Sequence, residues 1–190
     1  MARYAAIDCG TNSLRLLISE DNHGRPREIV RLMEIVRLGQ GVDATGEFAP
    51  EALERTRKVL TKYVDLMQQE RVQDVRMVAT SATRDARNKD EFFAMTAELL
   101  GQIRPGARAQ VITGEEEAKL SFIGAVAYLS KEQGPFCVID LGGGSTEFVV
   151  GVAGGQLLGS YSSQMGCVRI SERIMQSDPP TPEEVEAARQ

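Results

Sequence analysis

The sequence predicts an α/β fold made of one complete β-β-β-α-β-α-β-α lobe followed by the beginning of a second, similar lobe. Three observations support this. A short Asp- and Gly-bearing motif occurs twice, first as Asp8-Cys9-Gly10-Thr11-Asn12-Ser13 and again as Asp140-Leu141-Gly142-Gly143-Gly144-Ser145-Thr146. Each copy lies between two apolar, strand-like runs, residues 4–7 and 14–19 for the first and 136–139 and 147–152 for the second. Between the copies, strand-like and helix-like segments alternate, and Gly134-Pro135 breaks the chain just before the pattern restarts.

In chain order, residues 4–7 and 14–19 are strands around the first motif, and 21–27 is a turn rich in Gly, Pro and polar residues. Residues 28–38 read as a long third strand, although Arg31-Leu32-Met33-Glu34 also fits a helix. Residues 39–46 read as a loop. Pro50 opens a helix that runs to about Gln69, with Leu53, Thr56, Leu60, Tyr63, Val64 and Met67 on its apolar stripe. Residues 75–79 are a short buried strand and 80–88 a polar loop; 89–101 are a helix with Phe92, Phe93 and Leu99 as core candidates. Residues 109–112 form the next strand, and Thr113 begins a helix through Ser130.

The second pattern gives strands at 136–139, 147–152 and 156–163, with a turn at Ala153-Gly154-Gly155. Residues 167–175 look helical, Asp178-Pro179-Pro180-Thr181-Pro182 interrupts, and 183–190 starts a helix that no terminating glycine follows. The expected division is therefore residues 1–132 as the first lobe and 133–190 as the truncated start of the second. The shortfall in the second lobe suggests a piece of a longer protein. For an incomplete lobe three outcomes are open: loose phosphate binding, self-association through uncovered surface, as in a homodimer, or inactivity in isolation.

Composition narrows the function. The content, 42% hydrophobic and 26% charged residues, is that of an ordinary globular protein. No apolar run is long enough for a membrane span, and no signal peptide is visible, so a cytoplasmic protein is expected. Cys9, Cys137 and Cys167 are odd in number and lack CxxC spacing, which favours reduced thiols without a chemical role. A formal charge of −5 argues against DNA or RNA as partner. The same charge requires a local cure if the substrate is rich in phosphate: metal ions, backbone dipoles or a few placed arginines. His23 is the only histidine, so catalysis has to rest on carboxylates.

Each repeated loop offers an Asp, hydroxyls and backbone N–H groups. Successive N–H groups in a tight turn form an anion-binding concavity, and glycine lets the backbone approach a ligand closely. Two such loops argue for metal-assisted phosphoryl chemistry. The candidate phosphate-binding residues are Gly10, Thr11, Asn12 and Ser13 in the first loop and Gly142, Gly143, Gly144 and Ser145 in the second, with Asp8 and Asp140 as candidate metal ligands. Thr80-Ser81-Ala82-Thr83-Arg84 follows a strand end, where ligands bind in α/β sheets. Arg84 there suits bidentate phosphate contact, with Arg87 and Lys89 nearby. In Thr113-Gly114-Glu115-Glu116-Glu117 a capping box accounts for Glu116 and the helix dipole for Glu115. Glu117 lies near Ser121 and Gly124 on a small, polar helix face; by spacing it reads equally as a solvated carboxylate and as a catalytic base.

Together these residues resemble the exopolyphosphatase and guanosine pentaphosphate phosphohydrolase (Ppx/GppA) family, in its N-terminal portion. That family belongs to the actin-like, ribonuclease H-like superfamily shared with sugar kinases and Hsp70 ATPases. The resemblance rests on Asp8-Cys-Gly-Thr-Asn-Ser13, Ser81-Ala-Thr-Arg84, Gly114-Glu-Glu-Glu117-Ala, Asp140-Leu-Gly-Gly-Gly-Ser-Thr-Glu147 and Met165-Gly166-Cys167-Val168-Arg169. It implies a Mg²⁺ (or Mn²⁺) dependent hydrolase acting on the terminal phosphoryl group of inorganic polyphosphate or guanosine pentaphosphate. It also implies that Glu117 orients the attacking water, that Asp140 and Glu147 hold or polarise the metal and its waters, and that both loops with Arg84 bind phosphoryl oxygens. Two other readings remain at this stage. One is an ATP-dependent kinase or ATPase of the same superfold; the other is a non-catalytic module that binds polyphosphate or guanosine tetraphosphate.

Overall fold

The computed structural model describes residues 1–130 and 132–190, the side chain of residue 25 excepted. It contains two compact units, Met1–Val111 and Ile112–Gln190.

In the first unit, β1 (Arg3–Cys9), β2 (Ser13–Asn22) and β3 (Arg25–Ile35) form an antiparallel meander. Alternation drives it: Ala5, Ile7 and Cys9 on β1 and Leu14, Leu16 and Ile18 on β2 point into the core, as the period of two requires. The ambiguous stretch 31–34 is strand, because pairing with β2 satisfies its backbone. β4 (Asp74–Ala79) runs parallel to β1, and β5 (Ala109–Val111) parallel to β4, giving the order β3-β2-β1-β4-β5. Parallel neighbours need crossover connections. These contain two one-turn helices, α1 (Val42–Thr45) and α3 (Ser81–Asp85), and two long ones, α2 (Pro50–Gln69) and α4 (Lys89–Leu100). The stripe read on α2 is the buried one: Thr56, Leu60, Tyr63, Val64 and Met67 face the sheet, and the Tyr63 hydroxyl donates to the Leu14 carbonyl at 2.9 Å. Both short helices lie in stretches read as loops, where one turn leaves no periodicity to detect.

In the second unit, α5 (Gly114–Val126) precedes an antiparallel meander of β6 (Phe136–Leu141), β7 (Thr146–Gly151) and β8 (Leu157–Ser163). Two helices follow, α6 (Cys167–Arg173) and α7 (Pro182–Arg189). Ala118, Phe122 and Val126 of α5 pack on Val149 of β7, with Phe136, Val138 and Leu157 around them. Phe122 uses the space over Gly151, where a Cβ would lie 2.6 Å from the ring. This packing is why the compact units part at Val111/Ile112, ahead of the division expected at 132/133: α5 buries its apolar stripe on the second sheet. The opposite face of that sheet exposes Ile139, Leu141, Phe148 and Tyr161. Among the described residues, no helix is long and apolar enough to cross a membrane.

Candidate functional site

Both repeated loops close in the same way. The Gly10 amide donates to the Ser13 carbonyl at 3.0 Å, and the Gly142 amide donates to the Ser145 carbonyl at 2.9 Å. In the first unit this loop joins β1 to β2, with Asp8 the penultimate residue of β1. The Thr11 carbonyl accepts from Gly39 N–H at 2.8 Å; the Asn12 carbonyl accepts from Val36 and Arg37 N–H at 3.0 and 2.9 Å. Because a trans peptide points its N–H opposite to its C=O, the amides of Asn12 and Ser13 are directed away from residues 36–39. α3 adjoins this loop: a Cβ on Gly39 would lie 2.3 Å from Thr11 Cγ2 and 3.0 Å from Ala82 Cβ. Arg84 therefore rides on a helix packed beside the loop, not on a free loop as expected. Arg87, grouped with it on sequence, is committed elsewhere, donating to the Thr45 carbonyl at 2.8 Å and to Glu47 at 3.3 Å. Asp8 stands opposite Arg15 in the β1–β2 register, with 3.6 Å between their charged atoms. Burial pushes the Cys9 thiol far up from its ordinary range, with the Asp8 charge adding to the effect, so it stays protonated and inert.

The second unit gathers the carboxylates. Asp140, on β6, and Glu147, on β7, are direct cross-strand partners. Opposed residues share a sheet face, and here it is the face covered by α5. Ser121, one turn after Glu117 on α5, donates its hydroxyl to Asp140 Oδ2 at 2.6 Å. Ser162, the β8 partner of Glu147, donates to Glu147 Oε1 at 2.9 Å. The same hydroxyl lies 3.3 Å from where a Cβ on Gly114 would be, which puts the start of α5 against this corner. Thr113 caps α5 by accepting from the Glu116 amide at 3.1 Å. Glu117 lies in the first turn of α5, four residues before Ser121. Sequence reasoning did not single out Ser162, whose role depends on a register between strands that no local pattern reveals.

Between β6 and β7 the glycine loop turns tightly at Gly142, where a Cβ would lie 2.8 Å from the Ser145 carbonyl oxygen. The carbonyls of Gly142, Gly143 and Gly144 all accept hydrogen bonds from α6. The next amides, those of Gly143, Gly144 and Ser145, therefore point the other way. Among the described residues these amides take no intramolecular partner, and Ser145 is buried. Three aligned, unpaired donors are the makings of an anion receptor.

The donor chemistry also fits Mg²⁺. Asp140 and Glu147 each use one oxygen on a serine and keep the other. Among the described residues no three His, Cys, Asp or Glu side chains form a metal cage. Mg²⁺ does not need one, since it binds through one or two carboxylates and completes its octahedron with water and substrate phosphate.

Residues 17–190 match the Ppx/GppA phosphatase family. The chain belongs to that family. Within it, the chain is 56% identical to Exopolyphosphatase 2 of Mycobacterium tuberculosis, a match over all of this chain and 60% of that protein. It is 41% identical to an exopolyphosphatase-like protein of known crystal structure, with a TM-score of 0.87 over 98% of this chain and 58% of the other. The Aquifex aeolicus family member is 35% identical, with a TM-score of 0.75 over 98% of this chain and 58% of its own. The fold is thus of the actin-like α/β class that the family resemblance implied. The chain spans about three fifths of the length of these relatives.

Proposed function

We propose that this chain carries the catalytic residues of an exopolyphosphatase, hydrolysing the terminal phosphoryl group of inorganic polyphosphate or of guanosine pentaphosphate with Mg²⁺ (or Mn²⁺). One observation carries the reading: Asp140 and Glu147 are direct cross-strand partners, Asp140 is bonded to Ser121 one turn along α5 from Glu117, and the loop joining their strands presents three amides unpaired among the described residues. Relatives named as exopolyphosphatases support the substrate class.

In this reading the amides of Gly143, Gly144 and Ser145 bind non-bridging phosphoryl oxygens. In the first unit, Gly10, Thr11, Asn12 and Ser13, with Arg84, are the residues that bind phosphoryl oxygens. Asp140 and Glu147 hold the metal, each kept in one rotamer by its serine. Bound Mg²⁺ supplies neutralisation of the phosphate charge and polarisation of the reacting phosphorus. Glu117 accepts a proton from the water that attacks in line with the leaving phosphate. Positioning and electrostatic stabilisation supply most of the acceleration in such a reaction. Asp8, beside Arg15, is the candidate metal or water ligand within the first unit.

The test is release of orthophosphate from polyphosphate of defined length and from guanosine pentaphosphate in Mg²⁺, beside Glu117→Gln. Release that falls at least ~100-fold in the variant supports the assignment. Turnover unchanged by the substitution removes Glu117 from the role. Turnover of ATP with none of polyphosphate would assign the chain to a kinase or ATPase instead.

A further inference from the structure

The segment 166–169, which begins α6, holds the glycine loop through the carbonyls of Gly142, Gly143 and Gly144. Cys167 N–H donates to the Gly142 carbonyl at 3.1 Å, and Val168 and Arg169 N–H donate to the Gly143 carbonyl at 2.9 and 3.1 Å. The Arg169 side chain completes the set, its Nε donating to the Gly144 carbonyl at 2.9 Å. On the far side of the loop, the Thr146 hydroxyl donates to the Met165 carbonyl. The fit leaves no slack: a Cβ on Gly166 would lie 2.3 Å from the Gly143 carbonyl carbon and oxygen and 2.5 Å from Gly144 N.

From this geometry we infer that Arg169 is a positioning residue, which sets the second phosphate loop through its Nε hydrogen bond and binds no phosphate itself. The inference rests on the reading of that loop as a phosphate receptor. Its physical basis is peptide planarity. Holding the Gly144 carbonyl toward α6 fixes the Ser145 amide on the opposite side. Gly144, on one side of that peptide, leaves its backbone torsions permissive, so the hydrogen bond to the Gly144 carbonyl helps to keep the peptide in place. In the first loop the Thr11 and Asn12 carbonyls accept from backbone amides of Val36, Arg37 and Gly39.

Side-chain chemistry separates positioning from simple attraction of a polyanion. Gln places Nε2 the same number of bonds from Cα as Arg Nε and carries no charge. Lys keeps the charge but has a methylene at that position. Met keeps the length and has neither. In the Arg169→Gln, Arg169→Lys and Arg169→Met proteins two quantities are read: the affinity for tripolyphosphate by calorimetry, and the ¹⁵N–¹H resonance of the Ser145 amide in ligand-free protein. Positioning through Nε predicts that Gln keeps wild-type affinity within about twofold, while Lys and Met bind about tenfold more weakly. The Ser145 resonance should then move in Lys and Met and stay in Gln. Lys binding as well as wild type while Gln does not would overturn the proposal in favour of charge attraction. An unmoved Ser145 resonance in all three variants would overturn it outright. If wild type does not bind tripolyphosphate, the phosphate reading fails, and the ligand-free resonance still decides whether Arg169 sets the loop.

Discussion

Asp140 and Glu147 face each other directly across the β6–β7 ladder, and each has one carboxylate oxygen occupied by a serine hydroxyl, from Ser121 at 2.6 Å and Ser162 at 2.9 Å. Like charges at directly opposed positions destabilise a sheet. A divalent cation sharing the two remaining oxygens would reverse the sign of that interaction.

Mg²⁺ is therefore expected to stabilise the folded protein by on the order of 2–3 kcal/mol once it exceeds its dissociation constant about a hundredfold, read as a higher melting temperature. Asp140→Asn removes the repulsion and a ligand together. The variant should melt no lower than wild type without metal and lose most of the Mg²⁺ response. Thermal denaturation across a Mg²⁺ series checks this, and an equal response in both proteins would place the cation elsewhere.

Thr83, on α3 beside the first loop, is buried with a hydroxyl that has no hydrogen-bond partner. Burying an unsatisfied hydroxyl costs free energy that an apolar group of the same shape does not incur. Thr83→Val should stabilise the protein by about 1 kcal/mol, read as a higher urea midpoint at unchanged slope. A lower midpoint would reveal a partner for that hydroxyl.

Gly39 stands where a Cβ would collide with Thr11 and Ala82. Gly39→Ala is expected to cost about 1–3 kcal/mol, as overpacking does. It should also weaken tripolyphosphate binding, because Thr11 belongs to the loop that has to yield. Paired denaturation and calorimetry test this; a loss of stability with intact binding would separate the first loop from phosphate recognition.

Burial pushes the Tyr63 phenol up to about 12 from its usual value near 10, with the Glu34 charge adding to the shift. Below pH 10 the phenol is protonated in the folded and unfolded chains alike, and its contribution to stability is fully present. Between about pH 10 and 12 the unfolded chain ionises first, so the contribution falls as pH rises. Tyr63→Phe removes this group and its hydrogen bond to the Leu14 carbonyl, at a cost of about 1 kcal/mol near neutrality. The gap in urea midpoint between wild type and variant should close as pH rises through that window. A constant gap would show that the phenol ionises alike in both states.

Much of the fold was legible because its elements are long or strongly patterned. α2 begins and ends where Pro50 and the 3.6-residue stripe indicate. The strand–loop–strand repeats at Asp8 and Asp140 were readable as motifs, and the loops share even their closing hydrogen bond. What escaped was short or non-local. α3 is a single turn rich in Ser and Thr, a composition that favours loops. The commitment of Arg87 to Thr45 and Glu47 spans some forty residues of chain.

Taken alone, the sequence determined the chemistry on offer: two glycine-bearing loops after buried strands, a set of carboxylates in place of histidines, and Glu117 on a small-residue helix face. Local pattern is enough for these, since turn, strand and helix preferences act over a few residues. Only the tertiary structure decided that α5 packs on the second sheet, that Ser121 and Ser162 each hold one oxygen of a carboxylate, and that α6 turns the glycine loop's amides outward. Those outcomes depend on strand register and on which carbonyl meets which amide across long loops. A one-residue slip in register would turn every side chain of a strand to the other face, and only the packed core selects the register that is formed.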